Sequence, residues 1–293
     1  MRQTAGNRPA PIARGGAFSV TLALPGNAPV DRALEMYVAM PIRALLFDLW
    51  GTLIEDSGRE EPRSRTRARL ATEALAGAGH PYPEGAVMLA LQAFNREHGA
   101  LHAQGRDLAP PERLELVLRL LDRRLPERLS PDGRRAVEEA LTGAIRMHPP
   151  LPAPGARDTL AEARGRGLAL GLVSNTGISP GYVLRELLAD FGLLPYLQTL
   201  TFSDEACLVK PAPEMFRCTL EVLGMAPPQA VFIGDVPHTD IAGALAVGMW
   251  AVQIGDQRAD GVEPHARIAS LRELFPALEE LGCWTSSCRA GQS

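Results

Sequence analysis

The sequence predicts an α/β protein whose doubly wound parallel sheet carries an inserted, all-helical domain. From residue 41 onward, short apolar runs bounded by turn residues alternate with helical patterns, as in the strand–helix units of a parallel sheet. More than 100 residues with helical periodicity separate the first two strands. With 46% hydrophobic and 22% charged residues among 293, the composition is that of a globular protein and excludes a fibrous or wholly disordered chain.

The strands of the sheet are predicted where apolar runs end in turn residues. They span residues 42–47, 168–173, 199–202, 231–233 and 250–253, with a sixth near Ile268. Helical patterns lie between them at residues 156–166, 181–190, 213–223, 239–247 and 271–281. Each is long enough for a right-handed crossover, so residues 41–56 and 151–281 are predicted to form the core.

Residues 57–150 are predicted to form a helical cap inserted after the first strand. Apolar residues recur there at helical spacing, and proline and glycine separate the helical segments. The run over residues 149–155 contains four prolines. Because proline stiffens an extended chain, this run is expected to be a strap without secondary structure.

The two ends of the chain lack a pattern that predicts a packed element. Residues 1–40 contain Arg2, Arg8 and Arg14 and no acid before Asp31, and Met36 or Met40 lies directly before the first strong strand. We expect a disordered or misassigned leader there rather than a targeting peptide. Residues 282–293 have no hydrophobic period and are expected to be a loose tail.

Charge and composition restrict the partners of the protein. The net charge of −4 provides no positive field for a nucleic-acid backbone or an anionic membrane. The longest apolar run, at residues 17–24, is far shorter than the ~20 residues of a membrane span. The four cysteines form no Cys-x-x-Cys pair. We therefore expect a cytoplasmic monomer or homodimer that binds neither nucleic acid nor membrane.

Polar residues cluster where the predicted strands end. Asp48 follows the first strand, Ser174 the second and Asp235 the fourth, while Lys210 precedes the helix after the third strand. Ligands of a parallel sheet bind outside the carboxyl ends of its strands, so these groups are expected to converge. A carboxylate nucleophile that attacks a phosphate needs positive charge to offset repulsion, which Mg²⁺ and a lysine can supply.

Lys210 is the single lysine among 30 basic residues, the other 29 being arginine. A compact ammonium is not interchangeable with a planar guanidinium. The retention of lysine at this one position favours a functional role over that of a solvated surface charge.

Four segments in order resemble the motifs of the haloacid dehalogenase-like hydrolases, across residues 42 to about 280. FDLWGTL resembles the first motif, LVSN the second, VKPAPEMF the third and FIGDVPHTDIAGA the fourth. The resemblance implies a Rossmann-like core and a helical cap that covers the site. It also implies a hydrolase that acts on a small phosphorylated metabolite.

The resemblance also assigns roles to individual residues. Asp48 would be the nucleophile that forms an aspartyl intermediate, with Ser174 as hydrogen-bond donor to the transferring group and Thr52 bonding near the nucleophile. Lys210 would stabilise both the Asp48 carboxylate and the transferring group. Mg²⁺ would be held by Asp48, Asp235 and the main-chain carbonyl of Trp50, with Asp240 positioning a metal water or Lys210. The substrate would contact Trp50, Asn175, Thr176 and Gly177.

Trp50 departs from the pattern of the phosphatases in this family, which usually have a second aspartate at that position. That aspartate protonates the leaving alcohol and then activates water. An indole donates a hydrogen bond but does not exchange a proton near neutral pH, and acid–base help is typically worth about 10² to 10⁴ in rate.

Three readings therefore stay open beside a Mg²⁺-dependent phosphatase. The 2-haloacid dehalogenases of the family have an aromatic residue at the position of Trp50, since a halide leaves without a proton. They typically lack the pair that Gly234 and Asp235 form here, which favours phosphoryl chemistry. A catalytically inactive module that binds a phosphorylated ligand is the second alternative. Phosphonate cleavage is the third, but it uses a cap lysine and this cap has none.

Several further residues are expected to have ordinary structural roles. Trp50 is equally compatible with an apolar wall beneath the cap. His238 is expected to be solvated rather than to replace the missing acid, and Cys207 to be a small buried filler. Five arginines at the start of the cap are interpreted as a solvated helix face, namely Arg59, Arg63, Arg65, Arg67 and Arg69.

Overall fold

The computed structural model describes residues 41–282 together with the backbone of residues 11–12 and 20–21. These four leader residues form a short antiparallel pair. The predictions of a disordered leader and a loose tail otherwise lie outside the described residues.

Ten strands occur in the described part of the chain. They are β1 (Pro11–Ile12), β2 (Val20–Thr21), β3 (Ala44–Phe47), β4 (Ile54–Glu55), β5 (Leu151–Pro152), β6 (Ala169–Ser174), β7 (Thr199–Phe202), β8 (Ala230–Gly234), β9 (Trp250–Ile254) and β10 (Ala266–Ile268).

Eleven α-helices occur in the same residues. They are α1 (Glu60–Gly77), α2 (Glu84–Ala103), α3 (Pro110–Leu121), α4 (Leu125–Arg128), α5 (Pro131–Met147), α6 (Ala156–Gly165), α7 (Gly181–Asp190), α8 (Ser203–Ala206), α9 (Pro213–Leu223), α10 (Ala242–Val247) and α11 (Leu274–Glu280). Short 3-10 turns lie at Leu194–Tyr196, Pro227–Gln229 and Leu271–Glu273, and a π-helical turn at Pro237–Ile241.

Six strands form one sheet in the order β10-β9-β8-β3-β6-β7, and all five pairings are parallel. The first strand of this sheet along the chain, β3, lies in its centre. The next two strands, β6 and β7, lie on one side of β3, and β8, β9 and β10 lie on the other side. All four residues of β3 are buried because helices cover both faces of the sheet. The predicted doubly wound sheet, including the sixth strand near Ile268, is confirmed.

The helices α1 to α5 pack around a hydrophobic core of their own. Phe94, Leu75, Leu118 and Leu125 are fully or almost fully buried in this core. Its first and last helices, α1 and α5, pack against each other. These bounds support the proposed division of the chain into a cap at residues 57–150 and a core around it.

The chain enters and leaves the cap through a two-stranded ribbon. Ile54 pairs with Pro152 and Glu55 with Leu151 in antiparallel register. The prediction that residues 149–155 lack secondary structure is therefore wrong. The two segments that connect the cap to the core lie side by side, so their main-chain groups form hydrogen bonds with each other. Proline is tolerated because each strand has only one neighbour.

Two predicted helices begin differently from the expectation. The stretch at 239–247 begins with the π-helical turn at Pro237–Ile241, and the stretch at 271–281 begins with a 3-10 turn. Such π-helical turns are frequent at functional sites. No helix among the described residues has both the length and the apolar character to cross a membrane.

Candidate active site

Asp48 lies at the point where the strand order of the sheet reverses. It follows β3 directly, and its amide donates to the carbonyl of Ile233 in β8 at 2.9 Å. Ser174 is the last residue of β6, and Asp235 follows β8. Parallel strands end at the same edge, and the reversal opens a crevice at that edge. These three residues therefore lie together at the carboxyl edge of the sheet.

Lys210 joins two carboxylates at this edge. Its Nζ lies 2.5 Å from Oδ1 of Asp48 and 2.7 Å from Oδ1 of Asp240. All three residues are buried. The lysine main chain is held by Asn175, whose Oδ1 accepts from the lysine amide at 2.8 Å and whose Nδ2 donates to the lysine carbonyl at 3.2 Å. Asn175 thereby positions Lys210, and its predicted contact with substrate stays a prediction.

Asp240 connects the lysine to the turn after β8. Its Oδ2 accepts from the amides of Asp235 at 3.1 Å and Val236 at 3.0 Å. Gly234 makes this approach possible, since a Cβ there would overlap the Asp240 carboxyl group. Both oxygens of Asp240 already have protein partners. This geometry supports its role in positioning Lys210, and a direct contact of Asp240 with a metal stays a prediction.

Asp235 has an unused ligand atom. Its Oδ1 is buried and has no hydrogen-bond partner among the residues that the structure describes. Gly51 packs against the same carboxyl group in the left-handed conformation, with φ of 72°, and a Cβ there would overlap the carboxylate. One oxygen each of Asp48, Asp235 and Asp240 lie within 4.8 Å of one another. These oxygens form a cradle suited to a hard cation such as Mg²⁺.

The charges of the cluster also fit a divalent cation. Three carboxylates face one ammonium, which leaves two negative charges unbalanced when all four groups are ionised. Burial raises the pKa of Asp48 to about 7, although Lys210 partly opposes this. Burial, with the charge of Asp240, raises the pKa of Asp235 to about 6. Near pH 6 and without a cation, both carboxyl groups are therefore partly protonated, and a bound metal would displace these protons.

The remaining predicted residues surround the carboxylates in different ways. Ser174 is fully buried, and its Oγ donates to the carbonyl of Asn175 at 3.2 Å. Thr52 is buried, and within the described part of the chain its Oγ1 has no hydrogen-bond partner. Gly177 is exposed and Trp50 is half-buried against the core. The structure thus leaves the Thr52 hydroxyl available to a ligand, while the predicted roles of these residues stay predictions.

A link between the cap and the loop after β6 was not predicted from the sequence. The guanidinium of Arg113 donates to Oγ1 of Thr176 at 2.6 Å and to Oδ2 of Asp107 at 2.7 Å, and it also bonds to the carbonyl of Gly177. The Thr176 hydroxyl therefore already has a hydrogen-bond partner in the cap, and its predicted contact with substrate stays a prediction. No sequence spacing could have found this link, because 63 positions separate Arg113 from Thr176.

Two expectations about ordinary residues are wrong, and a third holds. Arg63 and Arg67 are buried rather than solvated, because the face of α1 that carries them points toward the α/β core domain. Cys207 is exposed, since it ends the short helix α8 in the left-handed region with φ of 54°. His238 is exposed, as expected of a solvated residue.

Comparison with known proteins places these residues in a family. The family described as "Hydrolase: haloacid dehalogenase-like hydrolase" matches residues 42–248. Phosphoglycolate phosphatase of Rhodospirillum rubrum is 31% identical over 252 residues, which are 83% of this chain and 90% of that protein.

Two further matches extend the comparison. Phosphoserine phosphatase of Thermus thermophilus is 37% identical over 152 residues, which span 50% of this chain but only 59% of that protein. The solved structure of a HAD phosphatase from Thermococcus onnurineus matches with a TM-score of 0.56 and 25% identity. That match covers 85% of this chain and all of the other.

Proposed function

The chain belongs to the haloacid dehalogenase-like hydrolases, and from that premise we propose that it is a Mg²⁺-dependent phosphatase of a small phosphorylated metabolite. One observation carries the proposal: a buried carboxylate at the reversal point of the sheet is paired with the single lysine and lies beside an unpartnered oxygen of Asp235. Relatives named as phosphatases support phosphoryl chemistry over dehalogenation.

The proposed reaction has two steps that both use Asp48. In the first, a carboxylate oxygen of Asp48 attacks phosphorus, an aspartyl phosphate forms, and the bond to the leaving oxygen breaks, with the alkoxide taking its proton from solvent water because Trp50 cannot supply one. In the second, water hydrolyses this ester, releases phosphate and restores the carboxylate. The ammonium of Lys210, 2.5 Å from Asp48, offsets the charge on the transferred group. Ser174 and the amides that follow it hold the remaining phosphate oxygens.

Asp48, Asp235 and the main-chain carbonyl of Trp50 would hold Mg²⁺. The bound ion would reduce the repulsion between the Asp48 carboxylate and an anionic phosphate. Gly51 contributes by leaving room for the Asp235 carboxyl group.

We expect Mg²⁺ to stabilise the folded protein through Asp235. At a free concentration of 100 times its dissociation constant, a ligand that binds only the folded state adds about 3 kcal/mol. Thermal unfolding with and without Mg²⁺ measures this gain. Asp235→Asn should lose it, whereas Asp190→Asn, at an exposed position at the end of α7, should keep it. An equal Mg²⁺ effect in all three proteins would contradict the assignment.

A substrate panel separates the proposed function from its alternatives. Phosphate and chloride release are measured from a phosphomonoester, an acyl phosphate and a 2-chloro acid, each with and without Mg²⁺. Mg²⁺-dependent phosphate release supports the phosphatase. Metal-independent chloride release supports a dehalogenase, for which the aromatic ring of Trp50 is the motivating observation. Binding without turnover supports an inactive module.

We expect Trp50→Asp to raise turnover of alkyl phosphates by about 10- to 100-fold, which does not exceed the lower limit of the usual contribution of a general acid because the new carboxyl group is not optimally placed. The new carboxyl group would donate a proton to the leaving alcohol, which the indole cannot do. The acyl phosphate serves as the control, since its leaving carboxylate needs no proton. An equal gain or an equal loss on both substrates would contradict this explanation of Trp50.

A further inference from the structure

Two arginines of the cap are buried on the face of α1 that points toward the core. Arg63 and Arg67 are 6% and 7% exposed and lie one helical turn apart. On the other side of the helix, Arg65 and Arg69 are exposed and pair with acids one turn away on the helix. The same segment thus carries ordinary surface ion pairs and, on its inner face, two desolvated cations.

Only one of these two cations has a carboxylate as a direct partner among the described residues. Arg63 pairs with Asp56 at 2.5 Å and donates to the carbonyl of His148 at 3.0 Å. Arg67 donates to the carbonyl of Leu141 at 2.7 Å and to Oγ of Ser179 at 3.4 Å, and both acceptors are neutral. Burial, with repulsion from Arg63, lowers the pKa of Arg67 to about 10, although the charge of Glu60 partly opposes this. A buried guanidinium whose hydrogen-bond acceptors are neutral is costly, which indicates that an anion completes its set of partners.

Both arginines contact segments that belong to the proposed active site. The guanidinium carbon of Arg63 lies 5.7 Å from the centroid of the Trp50 ring, two residues after Asp48. Ser179, the partner of Arg67, follows the loop that begins at Ser174. The two arginines therefore place positive charge beside the segments that follow Asp48 and Ser174.

We propose that Arg67, with Arg63 beside it, binds a carboxylate of the substrate, so that the enzyme selects phosphate esters of small hydroxy acids over those of neutral alcohols. The inference rests on the proposed phosphatase function. Charge favours a singly charged carboxylate over a second phosphate, because Arg63 is already paired with Asp56 and Arg67 alone is hydrogen-bonded only to neutral groups. The planar fork of a guanidinium also matches a carboxylate in two parallel hydrogen bonds.

The test compares 2-phosphoglycolate with ethyl phosphate, which differ by a carboxylate in place of a methyl group. We expect wild-type kcat/KM to favour the acid, and Arg67→Met to reduce this preference by about 10- to 100-fold, mainly through KM. The preference is the ratio of the kcat/KM values of the two esters on one protein. A smaller fraction of folded enzyme lowers both values equally and leaves this ratio unchanged. Arg65→Met, on the exposed face of the same helix, should leave the ratio unchanged.

Two further measurements make the outcome unambiguous. Arg67→Lys should retain part of the preference for 2-phosphoglycolate, because lysine keeps the positive charge but cannot form the two parallel hydrogen bonds of a guanidinium. Dissociation constants of both esters for the Asp48→Asn protein give the same ratio without turnover. Cleavage of neither ester would count against the phosphatase, and the binding ratio would then decide the arginine site. An equal ratio in wild type and Arg67→Met overturns the inference, even when both esters are cleaved.

Discussion

Asp48→Asn is expected to reduce phosphate release by about 10⁴-fold or more, the scale on which removal of a nucleophile acts in other hydrolases. An amide oxygen carries no negative charge with which to attack phosphorus and form the ester intermediate. Steady-state rates on the best ester of the panel, with Mg²⁺ present, measure the effect. Asp190→Asn serves as the matched control and should retain full activity, because Asp190 is exposed at the end of α7.

The same substitution should leave the protein folded. Burial raises the pKa of Asp48 to about 7, so the folded protein tolerates an uncharged side chain of this size at this position. The urea midpoint of Asp48→Asn is therefore expected to equal or exceed that of the wild type in the absence of metal. Activity above about 1% of the wild type in a folded Asp48→Asn protein would assign the nucleophile to another group.

Lys210→Met is expected to cost about 3 to 5 kcal/mol of unfolding free energy in addition to catalytic activity. Lys210 is 3% exposed, and its removal leaves Asp48 and Asp240 without their ammonium. Although burial alone would lower it, the charges of Asp240 and Asp48 raise the pKa of Lys210, which therefore stays charged in the fold. Urea unfolding measures the loss of stability.

A second substitution tests whether unpaired carboxylates cause that loss. Asp48→Asn in the Lys210→Met background removes one of them and should restore part of the stability, an interaction that a double-mutant cycle isolates. Lys210→Arg should not restore activity, because a planar guanidinium does not fit the site of a compact ammonium. Arg65→Met removes an exposed cation and should change stability by about 0.5 kcal/mol or less. Lys210→Met as stable as Arg65→Met would contradict the buried ion cluster.

The cap contacts the loops of the candidate active site. Arg113 bonds to the loop after β6, Arg67 reaches Ser179 beyond that loop, and Arg63 lies over Trp50. Three guanidiniums from the helical domain therefore contact the two segments that carry Asp48 and Ser174. This arrangement connects the position of the cap to the geometry of the catalytic loops.

The sequence alone determined the parallel core and the place of its chemistry. Strand patterns are local, so continuous apolar runs such as residues 44–47 could be read without any tertiary contact. Asp48, Ser174 and Asp235 follow strand ends, and parallel strands share one edge, so their convergence with Lys210 follows from topology. Ordered motifs then identified the family, because each retains its own residue types at a set spacing.

Only the tertiary structure decided which charges are buried and what satisfies them. Arg63 and Arg65 are chemically identical and two positions apart, yet one is buried beside Trp50 and the other pairs with Glu61 at the surface. The contacts of Arg113 with Thr176 and of Asn175 with Lys210 join residues 63 and 35 positions apart. The free energy of a buried charge depends on such distant partners, and local sequence patterns carry no record of them.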